Sequence, residues 1–310
     1  MSGENGILSR ATEAKEKTEE AEREETETLS GYEGIMEQYA GEPLADKVEV
    51  GDYIKYGEKL TAKTYTTDTN ETGYTTGTQN FETDTDMLWR VMSKKANGEV
   101  EIVAVSNVLA DDGVTGLYLY GEKGFVNAET VLKSLCSTLY TSSYGEARSI
   151  NVDDINVLTG YTPEATTRYT YTSGKFWDKA SNTFKTATAA DPVTVERSYY
   201  SYTVVETMPL YDTLIQESTT YTGDYSETNY PLFYWLSSRS AGAGGDGAGF
   251  YVRTVVSGDV NYGALVDAHA DGRFDEHELA CGARPVVTLK YNIQIEETTA
   301  TGGVTTWVIK

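Results

Sequence analysis

Apolar residues occur in short runs that alternate with polar residues along most of the chain, a pattern typical of strands. Two such runs, residues 87–92 and 100–105, flank the dipeptide Asn97-Gly98, which favours a tight hairpin turn. Residues 61–80 are rich in Thr, Gly and Asn, so we expect a long loop or an irregular hairpin there.

The second half of the chain is also predicted to be mostly strand. Residues 163–230 alternate Tyr, Thr and Val with polar residues, which predicts an inserted hairpin or small sheet. A last hairpin is expected over residues 293–309, with its turn at Gly302-Gly303. Apolar anchors between these two regions should supply the core, namely Trp235, Phe250, Leu265, Val286 and Leu289.

Three segments have the composition or the periodicity of helices. Residues 4–30 are rich in helix formers but have few apolar residues, which predicts a stalk or spacer; the alternative is a disordered acidic tail. Asn127 can cap a helix that runs through Leu139, and a second helix should begin near Asn151 and stop at Gly160. The predicted class is therefore α+β, an antiparallel core with two helices against it.

The charge balance excludes several classes of partner. The 310 residues carry a net charge of −23, whereas nucleic acids and anionic lipid surfaces both attract basic proteins. We therefore expect no nucleic-acid partner and no docking on anionic membranes. No apolar run is long enough to cross a membrane, and the two cysteines, Cys136 and Cys281, are too few for a disulfide framework or a metal finger.

Residues 240–289 differ in composition from the rest of the chain. They contain no Lys, Gln, Met or Trp, but they include both histidines, His269 and His277, and many Gly, Ala and Asp residues. Because the spacing of the apolar residues is irregular, we expect loops and strands with one solvent-facing set of side chains. Residues 242–247 lack the Lys-Ser/Thr ending of a phosphate loop and are expected to be a flexible surface loop.

Four motifs in and around this segment resemble one known family. They are YWLSSR at 234–239, GFYVR at 249–253, SGDV at 257–260 and GARPVV at 282–287. On these motifs the chain resembles the variable proteins of diversity-generating retroelements, whose domains are C-type lectins of the formylglycine-generating-enzyme type. The resemblance implies a C-type-lectin-like fold, with antiparallel strands, two helices and a ligand-binding face that an error-prone reverse transcriptase diversifies.

The resemblance also implies a restriction on residue types. In that family template adenines are misread, so adenine-rich codons are randomised. Mutated AAY codons cannot encode Lys, Gln, Glu, Met or Trp, and the residues between the anchors follow this restriction closely. Glu276 and Glu278 break it, so they must be fixed positions or they count against diversification.

Other stretches resemble surface proteins of Gram-positive gut bacteria. Residues 127–132 and 147–155 are similar to segments of such proteins. Residues 3–8, followed by residues 14–18, resemble the part of a type IV pilin-like helix just beyond its membrane segment.

Together the resemblances imply two parts. Residues 1–45 would be a truncated pilin-like helix and linker, and residues 46–310 a lectin-like domain with the insertion at about 163–230 and the variable region at about 235–290. They imply an extracellular location on the bacterial cell surface, with membrane anchoring only through a segment absent from this sequence. Pilus assembly proteins are among the expected partners.

The C-terminal segment is interpreted as a binding face for a protein or a glycan. Rigid aromatic side chains give contact area at low entropy cost, so Tyr251, Tyr262 and Phe274 are the best contact aromatics. Arg239 and Arg284 lie inside strand motifs and are interpreted as structural hydrogen-bond donors. The candidate ligand-binding residues are Asp246, Tyr251, Thr254, Val256, Asp259, Asn261, Tyr262, Ala264, Val266, Asp267, His269, Asp271, Arg273, Phe274, Asp275 and His277.

A metal site and an active site are both disfavoured. His and carboxylate residues cluster at 267–277, but Asp271-Gly272 lacks the spacing of an EF-hand, and the calcium motifs Glu-Pro-Asn and Trp-Asn-Asp are absent. We therefore expect no metal and no cofactor. No nucleophile stands at readable spacing from a base, so we expect no catalysis. A Cys136–Cys281 disulfide is left open.

The leading hypothesis is a cell-surface ligand-binding protein of the receptor or adhesin type, with a diversified lectin-like face. Two alternatives stay open. One is a fixed adhesin of the same fold, and the other is a structural pilus or pseudopilus subunit without a variable site.

Overall fold

Strands dominate this molecule. The structure is a computed structural model that describes residues 43–164, 166–198, 200–215, 228–256, 258–301 and 304–310, with Lys15, Lys17, Thr18, residues 21–23, Glu25 and Thr26. This part of the chain is a mixed α/β structure made mostly of strands, in agreement with the predicted α+β class. The described positions before residue 27 are helical and exposed, and the rest of the predicted pilin-like part before residue 43 lies outside the described residues.

The described helices include one of 20 residues and four short ones. In chain order they are α1 Leu44–Lys47, α2 Thr69–Thr72, α3 Gly121–Tyr140, α4 Val152–Thr159 and α5 Tyr211–Leu214, with one 3₁₀ turn at Gly57–Lys59.

The strands are numbered in chain order. They are β1 Tyr53–Ile54, β2 Thr64–Thr66, β3 Asn80–Glu82, β4 Trp89–Lys94, β5 Val100–Ala104, β6 Leu117–Tyr120, β7 Gly145–Ser149, β8 Thr167–Tyr171, β9 Lys175–Asp178, β10 Thr183–Thr186, β11 Val193–Arg197, β12 Tyr202–Thr203, β13 Asn229–Gly244, β14 Gly247–Val256, β15 Asp259–His269, β16 Phe274–Glu276, β17 Glu278–Ala283, β18 Pro285–Leu289, β19 Ile295–Thr301 and β20 Val304–Ile309.

Two seven-stranded sheets form the body. The first sheet has the order β19-β20-β1-β4-β5-β18-β7, and its strands are antiparallel except for the parallel pair of β1 and β20. The second sheet has the order β12-β15-β14-β13-β17-β6, with β16 also paired to β15. In the second sheet only the pair of β13 and β17 is parallel.

Helix α3 connects the two sheets through one apolar face. Val131, Leu132, Leu135 and Leu139 are fully buried, as the sequence predicts, and Phe125 extends the same face towards the second sheet. The predicted start at Asn127 is wrong, because the helix begins two turns earlier at Gly121. The Asn127 amide instead donates to the Glu71 carbonyl at 3.1 Å.

Several local predictions are confirmed. Asn151 caps α4 in a capping box with Asp154, and Gly160 ends the helix in the left-handed region. Strands β4 and β5 form the hairpin that Asn97-Gly98 predicts, with Gly98 at φ 84°. Strands β2 and β3 pair with each other, and α2 lies between them in the chain, so the Thr-rich segment forms an irregular hairpin. Strands β19 and β20 pair as predicted, while their turn lies outside the described residues.

The described part of the inserted segment contains the predicted strands β8 to β12, but it also includes the short helix α5, which was not predicted. β8 pairs with β11, and β9 pairs with β10. The Phe184 ring on β10 meets Phe250 edge-on at 5.2 Å and Phe125 at 5.9 Å between centroids. Phe176 on β9 is fully buried. Strands β8 to β11 therefore share the apolar core of the second sheet and cover it on the side of α3. Val204, Met208, Leu210 and Leu214 instead pack with Val255 and Val260 in a second cluster.

Candidate functional site

The segment that the sequence singles out is a three-stranded ladder of β13, β14 and β15. Residues 242–247 were expected to form a flexible loop, but β13 and β14 stay paired up to Gly244 and Gly247. Only Gly245 and Asp246 form the turn. A side chain at Gly247 would collide with the Ala268 carbonyl, because a Cβ there would lie 2.4 Å from the oxygen. The small residues thus serve close strand contacts and not loop flexibility.

One side of this ladder holds the anchors Trp235, Phe250 and Leu265, while Val286 and Leu289 lie on β18 of the first sheet. All five predicted anchors are fully buried, and Phe250 packs on Phe125 of α3 at 5.6 Å between ring centroids. The indole Nε1 of Trp235 donates to the Leu117 carbonyl at 2.9 Å, which satisfies its buried N–H. This core holds the strands on one side; on the opposite side only Val255 and Val260, at the far end of the β14–β15 pair, belong to a second buried cluster.

We call the opposite side the tyrosine face, defined by Tyr251, Tyr262, Ala264, Asp267 and His269. Tyr262 and Ala264 share the side of Tyr251 through their pairing with β14, and alternate positions along a strand point the same way. Asp267 and His269 return to this side after a bulge in β15, because they pair opposite Gly249 and Gly247. All five are partly exposed. The rings of Tyr251 and Tyr262 contact each other at 4.6 Å between centroids with a tilt of 47°.

The Tyr251 ring lies over Gly242 and Gly249, which pair with each other in the β13–β14 hairpin. A Cβ on Gly249 would lie 1.9 Å from the Tyr251 hydroxyl, and a Cβ on Gly242 would lie 3.1 Å from its ring. The tyrosine can therefore lie along the sheet only while Gly249 has no side chain. This contact holds a large aromatic ring in one orientation at the centre of the face.

Two Asp–His pairs border the tyrosine face beside the β15–β16 turn. His277 Nε2 lies 3.1 Å from Asp267 Oδ2, and His269 Nε2 lies 3.1 Å from Asp275 Oδ2. All four side chains are between 32% and 51% exposed, so the pairs are in contact with water. Asp271 in the same turn accepts the backbone N–H and the Nε–H of Arg273, and these bonds lower the pKa of its carboxyl.

The predicted ligand-binding residues do not form one patch. Val256 and Asp259 pair at the end of the β14–β15 ladder opposite to Gly247 and His269. At about 3.3 Å per residue, the nine steps from Gly247 to Val256 separate the two ends by roughly 30 Å. Asn261 lies near the Val256 end, whereas Asp246, Asp271, Arg273, Asp275 and His277 lie near the His269 end.

Three predicted site residues are corrected by their burial or contacts. Thr254 is 2% exposed and Val266 is 0% exposed, so neither can meet a ligand on this surface. A bulge in β15 opposite Phe250 and Tyr251 turns Val266 to the core side. Phe274 faces the insertion, where its ring lies 5.4 Å from Phe184 and under the Lys175 ammonium at 4.9 Å.

Glu276, which breaks the codon restriction, has a structural role. Its Oε1 accepts the backbone N–H of Glu122 at 2.8 Å, in the first turn of α3. Gly121 adopts φ 55°, and a Cβ there would lie 2.2 Å from the same oxygen. Glu278 is the first residue of β17 and pairs opposite Tyr120. A fixed Glu276 therefore links the β15–β16 region to the helix.

The two arginines have the geometry of structural donors. Arg284 is 7% exposed, donates twice to Asn107 Oδ1 and once to the Thr213 carbonyl, and lies over the Tyr234 ring. Burial lowers the pKa of its guanidinium. Arg239 contacts Glu129 at 3.2 Å and lies 4.9 Å above the Trp177 ring.

Neither cysteine has the environment of a reactive thiol. Cys136 and Cys281 are free and buried, so the disulfide left open by the sequence does not form. Burial raises the pKa of the Cys136 thiol to about 12 and raises the pKa of Cys281 as well, so both stay protonated at neutral pH. Within the described residues, no group of three or more His, Cys, Asp or Glu side chains could hold a metal ion.

No family model, no curated protein and no solved structure matches this chain. Among the residues that the structure describes, no helix is both long enough and apolar enough to span a membrane.

Two features of the site were missed from the sequence. The first is the pair of glycines beneath the Tyr251 ring. Its sequence signal is the alternation of Ala and Gly at 241–244 and 247–249, which places Ala on the core side and Gly beneath the ring. The pairing of Asp267 with His277 and of His269 with Asp275 had no readable signal, because it depends on the register of β15 and β16.

Proposed function

We propose that this protein binds a protein or glycan ligand at the bacterial cell surface through the tyrosine face of a C-type-lectin-like domain. The observation that carries the proposal is the division of the β14–β15 ladder into two sides. One side holds the fully buried Phe250 and Leu265, and the other presents Tyr251, Tyr262 and Asp267 to solvent. The partly exposed side chains of the tyrosine face can therefore change without altering the core around Phe250 and Leu265.

The chemistry of the face suits recognition. Tyr251 and Tyr262 combine apolar ring area with hydroxyl groups and lose little conformational entropy on binding. The Asp–His pairs add donors and acceptors at the edge of the rings. Aromatic centres with polar surroundings are typical of the residues that dominate binding energy.

We further propose that the face is diversified by a retroelement. The structural role of Glu276 supports this part, because a residue that randomised AAY codons cannot encode is held at a helix terminus and not on the tyrosine face. Glu276 then counts as a fixed position. The buried anchors at 235, 250 and 265 would likewise be unchanged between variants.

A direct test uses the purified chain on an immobilised array of glycans and extracellular protein domains. Tyr251→Ala and Tyr262→Ala should each weaken the array signal about tenfold or more, because each removes a central aromatic contact. Tyr291→Ala is the matched control, since Tyr291 is 53% exposed and lies outside the face. Unchanged binding by both face variants, with unchanged thermal midpoints, contradicts the proposed face.

Diversification has a separate test. Sequencing this locus in closely related strains should reveal substitutions at Tyr251, Tyr262, Asp267 and His269, with Glu276 and Phe250 invariant. A uniform spread of substitutions over residues 46–310, or an invariant tyrosine face, supports a fixed adhesin instead.

A further inference from the structure

A cavity opens at the β6 edge of the second sheet, which is the edge opposite to β12 and β15. Its volume is about 390 Å³, within the usual range for small-ligand sites. Residues of the segment 74–80, between α2 and β3, form one wall, residues of the segment 110–115 form another, and Tyr118 of β6 forms the third. None of the residues of the tyrosine face lines it.

Hydrogen bonds hold the walls of this cavity in place. The buried Gln79 side chain donates to the Gly116 carbonyl at 2.7 Å and accepts the Tyr118 backbone N–H at 2.8 Å, so the first wall is tied to β6. The Asp111 backbone N–H donates to the Asn80 carbonyl at 2.9 Å, which ties the second wall to β3. The cavity is therefore formed by contacts within the chain.

Two tyrosine rings form the aromatic part of the cavity. The rings of Tyr74 and Tyr118 stack at 4.3 Å between centroids, with 5° between their planes. Both residues are partly exposed and line the cavity, so a ligand there can contact them. The face of an aromatic ring carries partial negative charge and attracts cations.

The charged side chains of the cavity have one sign. Asp111 and Asp112 line it, and no Lys, Arg or His occurs among the described residues that do so. In the part of the chain that the structure describes, no ion pair involves either carboxylate. Burial opposes ionisation of Asp112, but hydrogen bonds from Thr115 and from the Val114 N–H outweigh it and lower the pKa of the carboxyl. Asp112 therefore stays ionised at neutral pH.

The donor set favours an organic cation over a metal ion. A metal ion such as Ca²⁺ needs several oxygen ligands, but Asp112 Oδ1 already accepts two backbone N–H groups and its Oδ2 accepts the Thr115 hydroxyl. Within the described residues, no group of three or more His, Cys, Asp or Glu side chains could hold a metal ion. An organic cation needs nearby negative charge and an aromatic surface, and both are present here.

We propose that this cavity binds an organic cation, at a site separate from the tyrosine face. The charged group lies beside the carboxylates of Asp111 and Asp112, and its carbon substituents cover the rings of Tyr74 and Tyr118. The net charge of −23 on the whole chain adds attraction for cations over longer distances. An anionic ligand would meet two carboxylates and no cation among the described lining residues.

The experiment is calorimetric titration of the full chain with three cations, namely choline and the Nα-acetylated methylamides of lysine and arginine. Each is paired with a neutral counterpart of similar shape, namely dimethylbutanol and the same derivatives of norleucine and citrulline. At least one cation should bind about tenfold tighter than its counterpart, and added salt should weaken that binding. The tightest cation shows whether the ligand is a free ammonium compound or a basic side chain. Absence of binding by all three cations, or equal binding of the counterparts, overturns the proposal.

Two substitutions locate the binding. Asp111→Asn removes one negative charge and Tyr74→Leu removes one aromatic ring, so each should weaken the affinity for the tightest cation about fivefold. Asp191→Asn is the matched control, because Asp191 is exposed in the insertion and lies outside the cavity. Tyr251→Ala should also keep the wild-type affinity for the cation, because Tyr251 belongs to the tyrosine face. Wild-type affinity in both cavity variants overturns the proposal.

Discussion

Glu276 is the residue that connects the sequence restriction to the structure. Its carboxylate accepts the Glu122 N–H at the start of α3, where the unpaired N–H groups of a helix favour a negative charge. Tyr120 at the N-cap position makes no side-chain cap bond. The cap therefore comes from a residue 154 positions away along the chain.

Replacing Glu276 should lower the free energy of unfolding by an amount that depends on whether the new side chain keeps an acceptor oxygen. Glu276→Ala should lower the free energy of unfolding by about 0.5–2 kcal/mol, and Glu276→Gln should cost less because it keeps an acceptor oxygen. Urea unfolding measures both. Glu146→Ala is the control, because Glu146 is exposed on β7. If Glu276→Ala unfolds at the same urea concentration as Glu146→Ala, the capping role is refuted.

Among the elements, α4 is tied to the first sheet by a partly buried ionic network. Arg148 on β7 donates to both oxygens of Asp154 at 2.6 and 2.8 Å, and to Glu101 on β5 at 3.0 Å. Glu101 also accepts from Ser93 at 2.8 Å. Burial opposes ionisation of Glu101, but the bonds from Ser93 and Arg148 outweigh it and lower the pKa of the carboxyl below 4.5.

This network predicts an acid-dependent loss of stability. A carboxyl whose pKa is lower in the folded state stabilises the fold above its unfolded pKa, and that contribution is lost as the pH falls from 4.5 towards the folded value. At pH 7 Glu101→Gln should lower the free energy of unfolding by about 1–3 kcal/mol, and the difference should shrink near pH 3. Urea unfolding at the two pH values measures it, and a pH-independent difference contradicts the assignment.

At the scale of the whole molecule, the insertion and the main body share one aromatic cluster. Phe125 comes from α3, Phe184 from the insertion and Phe250 from the ladder that carries the tyrosine face. The cluster joins the insertion to the same core that buries the other side of the tyrosine-face strands. We therefore expect the insertion to unfold together with the main body.

A double-mutant cycle tests this coupling. Phe250→Ala should cost about 3–5 kcal/mol, since Phe250 is fully buried, and Phe184→Ala should cost less. Because the two rings meet edge-on at 5.2 Å, the double variant should deviate from additivity by about 1 kcal/mol. Additive costs, or two separate urea transitions in the wild type, would show that the insertion folds on its own.

Structural features that depend only on residues close together in the sequence could be predicted from it. The Asn97-Gly98 turn, the Asn151 cap and the Gly160 stop all rest on interactions within a few residues, and each is found where it was expected. The buried anchors Trp235 and Phe250 were also predictable, because large apolar side chains leave water in any fold that can enclose them.

Positions that depend on distant partners could not be predicted in this way. The start of α3 follows from Glu276, the burial of Val266 from a bulge opposite β14, and the orientation of Phe274 from Phe184 of the insertion. A strand residue can turn to either side of its sheet, and the sequence shows only that neighbouring residues alternate. Which side is open to a ligand depends on what packs against the other, and here α3 and the insertion cover one side of the β14–β15 ladder.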